Sequence, residues 1–517
     1  MDSPVAAAWA RLPDYLGQHV ILSALALLLG ALISLPLAVL ASRRAALRWP
    51  LMTGSGLIQT IPSLALLALF YPLLLGLSGL TKSVFGVGFS ALGFLPALLA
   101  LTLYSMLPMV RNTVAGLTGL DPAVLEAARG VGMTRAQSLL RVELPLAAPV
   151  ILAGVRTSAV WVIGTATLST PIGQTSLGNY IFTGLQTENW VFVLFGCLAS
   201  AGLALVVDQL LGLIESGLAK RSRPRVIVGA AVLLAGLALA VAPALIPKPQ
   251  TYVIGSKTFS EQFILSALMA DELKAKELNA SERSGLGSTV ILRALSQNDI
   301  DVYVEYSGTV WGTAMGHTYN PGREEVTRQV TQWLKDKHGI TVLGGLGFEN
   351  AYALAMRRDR AAALNIRTLT DLGARSGSLT IGADYEFFSR PEWTALKTGY
   401  SLNFGRQKQY QSTFMYRAVV DGDVDVISAF SSDGRIAADD LVVLADPKGA
   451  IPPYDALILI APKRANDARL RAALQPLIGA VSVEAMRQAN QQVDGDTNKQ
   501  SPAAAARWLK TQLRPVP

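Results

Sequence analysis

Cysteine is almost absent: the 517 residues contain one, Cys197. An intrachain disulfide and a cysteine zinc cluster are therefore excluded. Histidine is nearly as scarce. His19, His317 and His338 are the full set, and none stands in a metal-ligand or hydrolase spacing. No Gly-x4-Gly-Lys-Ser/Thr stretch occurs, so the chain lacks the loop that cradles nucleotide phosphates and is not expected to hydrolyse ATP. It is expected to carry no cofactor and no catalytic residues. Charge is sparse too, at 16% of residues against about 25% in ordinary soluble proteins. No charged-then-apolar opening with a small-residue cleavage site is present, so no removable signal peptide is expected.

What is present is apolar. Hydrophobic residues make up 51% and the mean hydropathy is +0.37, which excludes a wholly soluble or a disordered chain. The excess is concentrated in the first half. Six runs are long enough to span a bilayer, at about 20 residues each: 16–41, 51–76, 89–110, 147–168, 190–214 and 226–246. Residues 1–250 carry 15 Lys and Arg against 8 Asp and Glu, and the remainder 30 against 29. Eleven of those bases fall in loops 42–50, 111–146 and 215–225. With six spans all three loops share one side, which the positive-inside rule makes cytoplasmic. The N-terminus and everything after residue 247 are then outside. Basic loops beside anionic lipid account for the net charge, and no nucleic-acid binding is expected. Asp208, within the fifth span, is expected to be an interior polar group rather than a site. Pro36, Pro62, Pro96 and Pro108 are expected to kink spans.

The loop after the third span has its own structure. Asp121 caps and Pro122 opens a short helix through Glu126, Ala127 and Ala128. Gly130 and Gly132 should stop it, and 134–141 can start a second. Glu126-Ala127-Ala128, then Gly132, then Val142-x-Leu144-Pro145 resembles the coupling-loop signature of bacterial ABC importer permeases. The resemblance implies that Glu126, Ala127, Ala128, Gly132, Leu144 and Pro145 dock a separate ATPase subunit. Gln59-Thr60-Ile61-Pro62-Ser63-Leu64-Ala65-Leu66-Leu67 and Thr165-Ala166-Thr167-Leu168 look like osmoprotectant permeases. Gly173-Gln174-Thr175-Ser176-Leu177-Gly178 departs from the glycine-rich turn those often have.

After the stiff exit Pro247-Lys248-Pro249, strand-like runs (252–255, 301–305, 379–382, 424–428, 441–444) alternate with helical ones (260–277, 289–297, 413–421). That alternation predicts parallel sheets covered by helices. Gly255-Ser256-Lys257-x-Phe259-x-Glu261-Gln262, Gly285 to Thr289, Asp301 to Thr309, Ser389-Arg390-Pro391, Val424 to Asp433 and Pro452 to Ala456 are similar to periplasmic binding proteins for glycine betaine, choline and carnitine. The implied fold is two lobes with a cleft: 251–348 plus 454–517, and 350–452. The domain plan is therefore a permease at 1–225 with coupling loop 121–145, a sixth span and linker at 226–250, and an extracytoplasmic binding domain at 251–517.

A trimethylammonium group offers no ordinary hydrogen bond, so aromatic faces must hold it, at about 0.5–2 kcal/mol per contact. Carried over by position, the box is Tyr306, Tyr352, Phe430 and Tyr454. Lys257, Arg390 and Thr309 would meet a carboxylate. Phe430 replaces a common Tyr, and Asn350 stands where a relative has Asp. Rings in an α/β domain are more often core than ligand contacts, and only the motif context favours a site. Trp311 is expected in the core. Asp433 and Arg435 are candidates for a pair across the lobes. Nothing sets Glu261 and Glu305 at a catalytic distance, and a hinge or docking role serves as well.

The whole then resembles an importer subunit of the inner membrane, acting as a homodimer with two ATPase copies on a quaternary ammonium solute. Glycine betaine leads, with choline, carnitine and ergothioneine as same-class alternatives. A ligand-gated receptor or channel is the alternative of another class.

Overall fold

The structure, a computed structural model, describes residues 4–86, 88–187, 189–245, 251–495 and 499–514. The chain forms two compact units, one helical and one α/β. The Pro247–Pro249 exit lies outside the described residues.

In the helical unit six helices among the described residues are long and apolar enough to cross a membrane: Val5–Arg43, Ser63–Phe85, Phe94–Thr118, Arg135–Ile172, Trp190–Ala219 and Arg223–Pro243. Phe94–Thr118 is the most enclosed, and Arg223–Pro243 is almost wholly exposed. Lipid solvates apolar side chains, so a membrane helix need not bury them. Small residues make the close contacts, among them Ala97, Ala100, Ser158, Ala159 and Ala166, all buried. The Ser158 hydroxyl donates to the Ser105 carbonyl across two helices at 2.7 Å.

Two sequence expectations change here. The second span is not 51–76. A helix Ala45–Thr60 ends and a new one begins at Ser63, with Ile61 extended (φ −72°, ψ 126°). Pro62 has no N–H and pushes the residue before it out of the helical region. The groups set free are answered by the Phe94–Thr118 helix: Tyr104 donates its hydroxyl to the Ile61 carbonyl, and the Gln59 amide donates to the Tyr104 carbonyl. Irregular backbone at membrane depth survives only with such partners. The fourth span, in turn, starts at Arg135 rather than 147. A π-helical segment, Leu139–Glu143, joins the short helix Arg135–Ser138 to Leu144–Ala166 without a break. The wider turn fits Pro145, which cannot donate a bond to the preceding turn. Asp208 is in a bidentate pair with Arg156 (2.5 and 2.7 Å), with Glu215 at 3.4 Å from the same guanidinium.

Among its described residues the α/β unit holds ten strands: β1 Thr251–Gly255, β2 Asn279–Arg283, β3 Val302–Tyr306, β4 Thr341–Glu349, β5 Tyr352–Arg357, β6 Thr380–Asp384, β7 Arg406–Tyr410, β8 Val426–Phe430, β9 Leu441–Val443 and β10 Asp455–Ile460. They form two sheets of five, ordered β2-β1-β3-β10-β4 and β7-β6-β8-β5-β9. The sheets are mixed rather than parallel. β10 runs antiparallel to β3 and β4, and β5 to β8 and β9. Both antiparallel strands are the first after the chain crosses between lobes, where it enters a sheet from the opposite end. Ile254, Val304 and Ile458 of the first sheet and Leu354, Ile381 and Val426 of the second belong to one continuous buried cluster.

Candidate functional site

Ligands of such sheets bind beyond the strand ends, and the strand ends converge here. Tyr306 ends β3, Phe430 ends β8, Asp384 ends β6 and Lys257 follows β1. Tyr352 opens β5 directly opposite Phe430 in the ladder, and Tyr454 precedes β10. A cavity of about 230 Å³ lies between the lobes. Lys257, Tyr306, Thr309, Tyr352, Arg390, Phe430 and Tyr454 all line it.

The rings are close together. Tyr352 and Phe430 have centroids 5.1 Å apart, and Tyr352 meets Tyr454 edge-on at 6.1 Å. Phe259 joins them, nearly parallel to Phe430 at 5.9 Å and 6.1 Å from Tyr306. Tyr454 lies on the backbone of Gly308, where an added Cβ would stand 2.3 Å from a ring carbon. Burial pushes the Tyr306, Tyr352 and Tyr454 phenols well above the usual value, so they stay neutral. Two of the hydroxyls are committed: Tyr306 donates to Glu261 and Tyr454 to Glu392.

The two bases differ. Lys257 is buried and paired with Glu305, its ammonium 5.3 Å from the Tyr306 ring centroid. Its charge is already matched inside the protein. A charge that deep cannot remain unpaired. Arg390 is buried, bonded to Glu386 at 2.9 Å and to Thr313 at 3.3 Å, with its guanidinium 5.1 Å from the Tyr352 centroid. Its Nε has no hydrogen-bond partner among the described residues. Burial works to raise the Glu386 carboxyl, but Arg390 holds it below the usual carboxylate range. Burial pushes Asp384 up, against the backbone N–H of Glu386 and the charge of Arg390.

Phe259, Asp384, Glu386, Asn350 and Gln411 also line the cavity and were not named as site residues. Phe259 stands in the Gly255–Gln262 motif, and Asp384 at a strand end, so both carried a signal. Trp311 is fully buried outside the cavity, its indole N–H donating to the Tyr319 carbonyl at 2.8 Å. Asp433 and Arg435 pair within one lobe at 2.6 Å, and the cross-lobe partner of Arg435 is Asp494 at 3.9 Å. Glu305 serves Lys257 and Tyr303, and Glu261 a separate set of donors.

In the helical unit, Asp121 accepts from the Ala123 N–H at 2.9 Å and Pro122 begins the helix Pro122–Gly130. Gly132 has φ +79°, a left-handed turn that suits glycine. Thr134 and Gln137 cap the next helix reciprocally. Glu126, Ala127 and Pro145 are exposed and Ala128 is buried. Exposed Val131 and Leu140 flank them. Glu143 is buried, paired with Arg43 at 2.5 Å and with Ser138 at 2.9 Å.

Residues 250–511 match the family described as "Substrate binding domain of ABC-type glycine betaine transport system". Residues 26–220 match "Binding-protein-dependent transport system inner membrane component". The chain is similar, at 31% identity over 88% of its own length and 82% of the other's, to the "Ergothioneine transport permease/ergothioneine binding protein EgtU" of Helicobacter pylori (strain G27). It is 40% identical to the "Choline transport system permease protein OpuBB" of Bacillus subtilis (strain 168), over 38% of this chain and 84% of that one. Among solved structures, "Crystal structure of glycine betaine/carnitine/choline ABC transporter" aligns with 50% of this chain and 98% of its own at 27% identity and TM-score 0.44.

Proposed function

This chain belongs to the ABC importer family in which an inner-membrane permease is fused to its substrate-binding domain, and on that premise we propose that it takes up a betaine. By betaine we mean a trimethylammonium cation that also bears a carboxylate. The single observation behind this is six aromatic side chains lining one cavity with Arg390 among them. The ring faces hold the methylated cation. Arg390, with its Nε uncommitted, meets the carboxylate. Glycine betaine is the simplest such solute.

A second reading, ergothioneine, is favoured by hydrogen bonding. Asn350 Oδ1 and Gln411 Oε1 are buried acceptors without a donor among the described residues. Glycine betaine has no N–H or O–H to give them. The imidazole-thione ring of ergothioneine has N–H donors, and the fused relative from Helicobacter pylori carries ergothioneine in its name. Calorimetry on the purified chain with glycine betaine, choline, carnitine and ergothioneine tests both readings. Binding of none of them ends the proposal, and a preference for choline removes the carboxylate contact.

The chain itself supplies no ATP hydrolysis. Two copies form the pore, and an ATPase pair grips residues 121–145 from the cytoplasm. The 11 bases in three same-side loops support this orientation. The binding domain then faces outward, captures the solute and hands it to the pore. A channel would need no ATPase dock, so transport without nucleotide would overturn this assignment.

A further inference from the structure

Glu261 is a buried carboxylate with four side-chain donors. Its Oε1 accepts from the Tyr306 hydroxyl at 2.5 Å and the Asn350 amide at 3.0 Å. Its Oε2 accepts from the Ser432 hydroxyl at 2.6 Å and the Asn490 amide at 2.9 Å. Four is the number of lone-pair sites a carboxylate offers. The donors come from separate places. Tyr306 is a ring of the cavity. Asn350 lies where the chain crosses between β4 and β5. Ser432 follows β8 in the second lobe, and Asn490 is on the first-lobe helix Val483–Asp494. Asn490 also donates to the Ser432 carbonyl at 3.0 Å. The neighbouring Gln262 donates to the Tyr306 hydroxyl at 3.0 Å and to the Val304 carbonyl at 3.0 Å. The phenol is therefore gripped from two sides by consecutive residues at the start of one helix.

We infer that Glu261 is a positioning residue that ties the Tyr306 ring to the hinge of the two lobes, so that box geometry and lobe arrangement are set together. The inference rests on the ring-lined cavity being the solute site. A buried carboxylate that lost donors would bear a desolvation cost it could not recover. The ring orientation and the Ser432–Asn490 contact are thus stabilised through the same group. Only a carboxylate can accept all four bonds. Glutamine has one acceptor oxygen and two donor N–H groups, which would oppose the amides of Asn350 and Asn490.

The test uses the full chain in detergent. Labels at Lys276→Cys and Gln407→Cys, with Cys197→Ser, report the inter-lobe distance distribution. Calorimetry reports affinity for glycine betaine and ergothioneine. Tyr306→Phe keeps the ring face and removes only the hydroxyl. Ser432→Ala removes the second-lobe donor and touches no ring position. Each is expected to weaken binding about fivefold, and the double variant by under about tenfold rather than the roughly 25-fold of independent sites. Glu261→Gln should weaken binding at least tenfold, by order of magnitude. Without ligand, Glu261→Gln and Ser432→Ala should broaden the distance distribution, and Tyr306→Phe should not. Additive effects, or wild-type affinity and distances in Glu261→Gln, overturn the inference. If the wild type binds neither compound while the distances still broaden, the solute assignment fails and the hinge role stands.

Discussion

At Gly308 a methyl group would stand 2.3 Å from a Tyr454 ring carbon. The glycine is required by the ring above it rather than by a turn. Gly308→Ala should displace Tyr454 and weaken betaine binding at least tenfold, about 1.4 kcal/mol, as should Tyr454→Ala and Tyr306→Ala. Unchanged calorimetry for all three would remove Tyr454 and Tyr306 from the site. Arg390→Ala should harm a carboxylate-bearing ligand far more than choline, and equal losses would exclude the ion contact. Asp494 gives a pH prediction. Burial raises its carboxyl from 3.8 to about 6 against the pull of Arg435. The folded state therefore binds this proton more tightly than the unfolded one. Stability from this group is highest below the ordinary value, falls as pH rises towards 6, and is flat above. Asp494→Asn should flatten that part of a melting-temperature profile, and an unchanged slope would assign it elsewhere.

At the scale of elements, prolines decide where membrane helices begin and end. Pro62 ends one helix and frees a carbonyl that Tyr104 answers. Pro145 sits just past a π turn that places Glu143 against Arg43. Hydropathy averages over such breaks, so the apolar runs were readable from the sequence while their ends were not. The loop 121–145 was more legible, because caps and left-handed glycines are local. Asp121, Pro122 and Gly132 specify its turns by their own side chains or lack of one. Glu126→Lys or Gly132→Asp should abolish co-purification of the ATPase subunit while leaving solute binding unchanged. Arg43→Glu alone should lower transport at least about tenfold, and Arg43→Glu with Glu143→Arg should recover most of it. If the swap fails to recover, the pair is not what joins the first span to the loop.

For the whole molecule, the proposed assembly pairs two chains, since each carries one permease unit. Native mass measurement of the complex should give two of these chains with two ATPase subunits. Uptake into vesicles should stop without ATP, and uptake driven by the solute gradient alone would make the protein a channel.

The sequence by itself determined the six apolar helices and the two-lobed α/β class, because hydrophobic period, composition and motif order are properties of the chain. It also named seven residues that share one cavity. Only the tertiary structure decided how the charges are matched. Lys257 meets Glu305, Arg156 meets Asp208, and Glu261 meets four donors from four segments. Those partners lie dozens to hundreds of residues apart. A buried charge must find a partner, but nothing local in the chain says which one the fold will bring.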